Sequence, residues 1–298
     1  MKKSSEISGC GTALVTPFTR RHGVDLVAYT KLIRRQVEAG IDFVVPCGTT
    51  GESVTLGEEE YRSVIRTCVE TVSGEIPVVA GAGSNSTAHA LHLARIAEQE
   101  GADALLSVTP YYNKPTQEGV FRHFQKLSQE TALPVIVYNV PGRTGSNILP
   151  QTEFRLAHLP SIIGVKEASG NLDQIMEILA GRENGFRLFS GDDALALAVA
   201  TLGGDGLISV AANLIPAEMT RLIRLARRGT VAEARQIHYR YLRLMNLNFA
   251  ASNPIPIKYA LSRMGWIEEV YRLPLCPMAV EKKEKMDAEL ERLGLLKA

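Results

Sequence analysis

Ile162-Ile163-Gly164-Val165-Lys166 is the stretch on which the fold of this chain turns. Its uninterrupted apolar run describes a strand buried on both faces, the kind found in parallel sheets covered by helices. A lysine closes it. Strand geometry puts Lys166 on the side of Gly164 and Ile162, in a confined space that Gly164 is expected to leave open. Desolvation there disfavours the ammonium and lowers the lysine pKa, which frees the amine to attack a carbonyl carbon and form a Schiff base. The plainer alternative is a lysine snorkelling out of a strand end, and the rest of the sequence has to weigh against it.

Similar β-branched runs recur at 12–18, 43–46, 77–80, 104–108, 134–138, 187–190 and 206–210, each followed by turn residues and a segment of helical periodicity. Apolar strands that alternate with helices indicate a parallel sheet, and eight such units predict an α/β fold, a closed (β/α)8 TIM barrel. Helix-start signals agree with the alternation. Thr55-x-x-Glu58 reads as a capping box, Ser169 to Asn171 precede a helix over 172–180, and Asp192-Asp193 precede one over 194–202. After Arg228 the strand runs stop. Amphipathic helices are predicted over 231–249 and 278–296, with a Pro-interrupted piece around Pro254-Ile255-Pro256 between them. The expected organisation is a catalytic barrel at 1–228 and a C-terminal helical appendage at 229–298, packed on the barrel or on another subunit.

Composition narrows the class of function. The 298 residues are 45% hydrophobic and 22% charged, and 33 Lys+Arg against 32 Asp+Glu leave a net charge of +1. No global field favours nucleic acid or an anionic membrane, so small-molecule chemistry is expected. Cys10, Cys47, Cys68 and Cys276 are far apart and show no CxxC spacing, which argues against a zinc site or a disulfide framework and fits a reducing cytoplasm. Met1-Lys2-Lys3 is basic, but no apolar region follows it as a signal peptide requires, and no stretch approaches the length of a membrane helix.

In barrels the chemistry gathers where strands end. Here those ends carry Gly48-Thr49-Thr50-Gly51-Glu52-Ser53, Thr109-Pro110-Tyr111-Tyr112-Asn113, Tyr138 to Gly145, and Ser190-Gly191-Asp192-Asp193. The glycines beside Thr49 and Thr50 let backbone N–H groups and hydroxyls approach a small carboxylate such as that of pyruvate; a plain glycine turn into a capped helix is the competing reading. Tyr138 ends the fifth strand, where its phenol would relay protons during imine formation, with Thr50 and Tyr112 as candidate partners; either tyrosine could instead be a packing residue. Arg143 follows a Pro-Gly turn and offers a planar fork to a second carboxylate, unless it is an ordinary loop arginine. Histidines count against a metal-dependent aldolase, since His22, His89, His92, His123, His158 and His238 fall in loops or helices and not at strand ends. Gly81-Ala82-Gly83 lacks the rest of a dinucleotide motif, and Cys47 reads as a small buried hydrophobe.

Taken together, GTTGES (48–53), TPYYNKP (109–115), YNVPGRTG (138–145), GVKEAS (164–169), SGDD (190–193) and NPIPIKYA (253–260) make the chain resemble the pyruvate-dependent class I aldolases typified by N-acetylneuraminate lyase and dihydrodipicolinate synthase. Arg143 in its motif is similar to the synthase branch. The resemblance implies condensation of pyruvate with L-aspartate 4-semialdehyde through a Schiff base on Lys166. It also implies that Thr49 and Thr50 bind the pyruvate carboxylate, that Tyr138, Thr50 and Tyr112 form a proton relay, and that Arg143 holds the semialdehyde carboxylate. Gly191 and Ile208 would line the pocket with backbone groups. A homotetramer built from tight dimers is implied, with Tyr112 reaching the neighbouring subunit's site, and no organic cofactor or catalytic metal. In lysine-inhibited relatives an allosteric cleft uses an acidic residue at the position of His89 and histidines near Glu58 and Tyr61; here His89, Glu58 and Tyr61 replace that set, although Ser53, Asn85 and Tyr111 match. Weak or absent inhibition by lysine is therefore expected. Two alternatives remain: a lyase of the same mechanism acting on a sialic acid or a 2-keto-3-deoxy sugar acid, and a non-catalytic barrel that binds a keto acid.

Overall fold

In the computed structural model, which describes residues 7–296, eight parallel strands form one sheet in the order β2-β1-β8-β7-β6-β5-β4-β3. They are β1 (Gly9–Ala13), β2 (Phe43–Val45), β3 (Val79–Gly81), β4 (Ala104–Val108), β5 (Val135–Asn139), β6 (Ile162–Glu167), β7 (Arg187–Ser190) and β8 (Gly206–Ser209). A parallel bridge between Val44 and Val78, with bonds from Val44 N–H to Pro77 O and from Gly81 N–H to Pro46 O, joins β2 to β3. The sheet is thereby closed into a barrel with no free edge.

Helices follow the strands: α1 (Leu26–Glu38), α2 (Glu58–Val72), α3 (Thr87–Gln99), α4 (Gln117–Glu130), the one-turn α5 (Pro141–Thr144), α6 (Pro150–Ala157), α7 (Leu172–Gly181), α8 (Ala196–Thr201) and α9 (Pro216–Arg227). Three more, α10 (Val231–Leu247), α11 (Ile255–Arg263) and α12 (Val280–Arg292), complete the C-terminal segment. The piece around Pro254 is a helix, because Pro254 is the N-cap of α11 and Pro256 falls in its first turn, where a missing N–H costs no helical bond. No helix among the described residues is long and apolar enough to cross a membrane.

Two apolar cores result. One lies between sheet and helices. The other fills the barrel with Phe43, Val45, Ala104, Leu106, Ile136, Phe189 and Ile208 among others, and Phe43 meets Phe189 edge to face at 5.7 Å between ring centroids. This plug explains why β1 begins at Gly9 and not at the expected 12. A Cβ on Gly11 would lie 2.1 Å from the Phe43 ring, so a glycine that reads locally as a strand breaker is what lets β1 pass the plug.

Two helix starts also differ from expectation. Thr55 belongs to a 3-10 turn at Ser53–Thr55 and bonds back to Glu52 O, whereas α2 is capped at Gly57, whose N–H donates to the Glu60 carboxylate. The helix expected over 194–202 begins at Ala196, because Asp193 is drawn inward to the backbone of β8 and the turn after it. Asn171 does cap α7, accepting from Asp173 and Gln174 N–H.

The close approach at Gly11 predicts that Gly11→Ala lowers stability by about 1 to 3 kcal/mol through overpacking. Urea unfolding checks it; an unchanged midpoint would mean that the Phe43 ring gives way freely.

Candidate active site

At the C-terminal ends of the strands a chamber of about 490 Å3 opens above the plug. Lys166, next to last in β6, is in register with Tyr138 on β5 and Phe189 on β7 and points inward at the chamber floor, only 5% exposed. Room for it comes from Gly191: a Cβ there would lie 3.1 Å from Lys166 Cε and 2.5 Å from the Ala168 Cβ. Gly164 has a different job from the one expected, since a Cβ on it would lie 2.3 Å from the Arg187 carbonyl oxygen, and its absence lets β6 and β7 approach.

Burial, partly offset by the Asp193 carboxylate and reinforced by Arg143, lowers the Lys166 pKa to about 8. A usable fraction of neutral amine thus exists near neutral pH. The ammonium form rests 4.2 Å from the centroid of the Tyr138 ring. Burial raises the Tyr138 pKa against the opposing pull of Arg143 and of a hydrogen bond from Thr49, so the phenol keeps its proton and can give it away.

Thr49 and Thr50 line the chamber on the loop after β2, held in a tight turn by bonds from Gly51 N–H to Gly48 O and from Glu52 N–H to Thr49 O. Arg143 stands at the exposed mouth, on α5. Thr49, Thr50, Tyr138, Arg143, Lys166 and Gly191 are therefore brought together. Two of the expected residues are not. Ile208 is fully buried in the barrel plug, and Val210 takes the place at the chamber wall. Tyr112 is 87% exposed and turned outward at φ +73°, away from the chamber of its own chain.

Over residues 6–293 the sequence matches the dihydrodipicolinate synthetase family. The chain belongs to that family. Among its relatives, the 4-hydroxy-tetrahydrodipicolinate synthase of Chlorobium limicola is 52% identical over 291 residues, covering 97% of this chain and 98% of the relative. The fold superposes on the dihydrodipicolinate synthase of Thermotoga maritima with a TM-score of 0.96 at 42% identity, over 98% of this chain and all of that one. A chloride-inhibited dihydrodipicolinate synthase from Acinetobacter baumannii, solved with pyruvate, gives a TM-score of 0.96 at 40% identity over 97% of this chain and 100% of that one.

Sequence reading assigned no role to the segment at 253–258, yet it braces the family's site. Asn253 donates from Nδ2 to Thr50 Oγ1 at 3.0 Å, and its backbone oxygen accepts from Arg143 Nη2 at 3.4 Å. Lys258, fully buried, bonds Glu52 at 2.5 Å and lies over the Phe18 ring. The signal was available in Ile257-Lys258-Tyr259-Ala260-Leu261, a charged residue in an apolar run, the same feature that singled out Lys166.

With a lysine pKa of about 8, imine formation with pyruvate is expected to rise close to tenfold per pH unit well below that value and to level off above it, because only the neutral amine attacks. Borohydride trapping rates between about pH 6 and about pH 9.5, a span that brackets the titration, check this; a flat profile would contradict the lowered pKa.

Proposed function

We propose that the protein condenses pyruvate with L-aspartate 4-semialdehyde to a cyclic hydroxy-tetrahydrodipicolinate, the step that commits carbon to diaminopimelate and lysine, in the cytoplasm and as a homotetramer. The observation that carries this reading is the buried Lys166 amine with its pKa lowered to about 8, facing Tyr138 under a mouth guarded by Arg143.

In this reading Thr49 and Thr50 hold the pyruvate carboxylate, and the neutral Lys166 amine adds to the ketone carbon. Tyr138 donates its proton to the departing oxygen, which leaves as water and gives the imine. Loss of a proton from the pyruvate methyl group converts the imine to an enamine, whose carbon forms a bond to the aldehyde carbon while the aldehyde oxygen takes up a proton. The substrate's own amine then attacks the imine carbon, closes the ring and releases Lys166. Arg143, at the mouth, pairs with the second substrate's carboxylate.

Thr50 and Tyr112 complete the proton relay in this reading, with Tyr112 acting on the site of a second copy; its exposed ring at a positive φ supports that assignment. Gly191 is assigned to the pocket by its motif position and its place in the chamber lining, with Val210 in the position expected of Ile208.

Purified protein given both substrates and coupled to dihydrodipicolinate reductase is expected to consume NADPH, and Lys166→Ala to abolish it. No turnover with pyruvate still trapped on Lys166 would redirect the reading to another aldehyde.

A side cleft beside the site bears on regulation. Ser53, Glu58, Tyr61, His89, His92 and Tyr111 line it, so a carboxylate is present, on α2 and not on α3. That carboxylate is engaged by His92 Nε2 at 2.8 Å and by Arg62 at 3.3 Å. A lysine ammonium would have to displace both, and lysine is expected to inhibit weakly or not at all; half-inhibition at submillimolar lysine in the coupled assay would refute this.

A further inference from the structure

Among the described residues lining the chamber, Arg143 and Lys166 carry the cationic groups and Asp192 carries the carboxylate. Neither Arg143 nor Asp192 has an oppositely charged side chain as partner among those residues: Arg143 bonds the backbone oxygen of Asn253, and Asp192 Oδ1 accepts from Ala194 N–H at 2.8 Å. Two opposite charges left unpaired around one cavity describe the complement of a zwitterion.

Asp192 is also held in place. Its N–H donates to Ser190 Oγ at 3.2 Å, and its carbonyl oxygen accepts from the same hydroxyl at 2.8 Å. With Oδ1 fixed by Ala194, Oδ2 is the oxygen left for a ligand. The neighbouring Asp193 is spent otherwise: fully inside the fold, it accepts from Ser209 Oγ and from the N–H groups of Val210 and Ala211. Adjacent aspartates thus divide their work, one bracing the β8 turn and one facing the chamber.

We propose that Asp192 binds the α-ammonium of the second substrate while Arg143 binds its carboxylate, so that the chamber selects an aldehyde carrying a free α-amino acid group. The inference rests on the condensation proposed above. An ammonium entering beside Arg143 and Lys166 meets two cationic groups, and Asp192 is the counter-charge that makes its entry favourable. A sugar-derived aldehyde, which carries no ammonium, would leave that carboxylate unanswered. Asp193, the carboxylate that favours the Lys166 ammonium, stays in place when the Asp192 charge is removed, so the imine chemistry is expected to persist.

Asp192→Asn and Asp192→Ser both keep an acceptor for Ala194 N–H and remove the charge. In either variant the KM for L-aspartate 4-semialdehyde is expected to rise about 10- to 100-fold, the loss of one charge-assisted bond. Inhibition by succinate semialdehyde, which has the carboxylate and aldehyde but no amine, is expected to change less than about twofold, a shift too small for a lost ion pair. Pyruvate trapped on Lys166 by borohydride should be unchanged. An unaltered KM, equal weakening of both aldehydes, or loss of the imine in both variants would overturn the proposal. Wild-type protein that traps pyruvate but does not turn over the amino aldehyde would overturn the underlying reading instead.

Discussion

Everything at the site depends on one constraint, that eight strands running in the same direction close on themselves. Closure removes the sheet edges and sends every strand C-terminus to a single rim, so residues from loops far apart in sequence converge without any one loop having to be long. The apolar plug below the rim does the rest. With Phe43, Phe189 and Ile208 filling the interior, a side chain at the height of Lys166 has apolar matter beneath it and a small chamber above. Water is scarce at the amine for that reason, and its lowered basicity follows from the packing more than from any one charged neighbour.

The rim is stiffened by a buried ion pair between Glu52 and Lys258. Such a pair adds little net stability, because removing both ions from water cancels most of their attraction, but breaking it leaves an uncompensated buried charge at a cost of about 3 to 5 kcal/mol. Its contribution is therefore to geometry. Glu52 ends the turn that presents Thr49 and Thr50 at a left-handed φ of +51°, and Lys258 with the Arg272 N–H fixes its carboxylate. Asn253 ties the same turn to Arg143, linking the two places where substrate carboxylates are assigned.

Much of this was legible in the sequence, for identifiable reasons. A parallel strand buried on both faces writes itself as an apolar run, which is why β4, β6 and β7 begin where the pattern puts them. The strand ends were equally readable, since polar residues closing apolar runs gave Thr49, Thr50, Tyr138, Arg143 and Lys166, five of the residues found around the chamber, and the resemblance added Gly191. What stayed hidden was set by partners distant in the chain. Gly11 is a strand residue only because the Phe43 ring needs the space, and Gly191, not Gly164, clears room for the lysine. Asn253 and Lys258 reach residues 203 and 206 positions away, a relation that no local periodicity encodes. Tyr112, exposed and outside the chamber lining of its own chain, is likewise a placement that no local pattern encodes.

The Glu52 and Lys258 pairing has a consequence for how the enzyme comes into being. Translation runs from the N-terminus, so the turn carrying Thr49, Thr50 and Glu52 leaves the ribosome 206 residues before its counter-ion is made. Through that interval the chain gains Tyr138, Arg143 and Lys166 and already holds the strands of the barrel, yet the acid at the heart of its cradle has no cation to be buried against. The nascent barrel therefore carries the Lys166 amine long before it carries a settled turn around Thr49 and Thr50, and the C-terminal segment acts as the clasp that fixes the one beside the other.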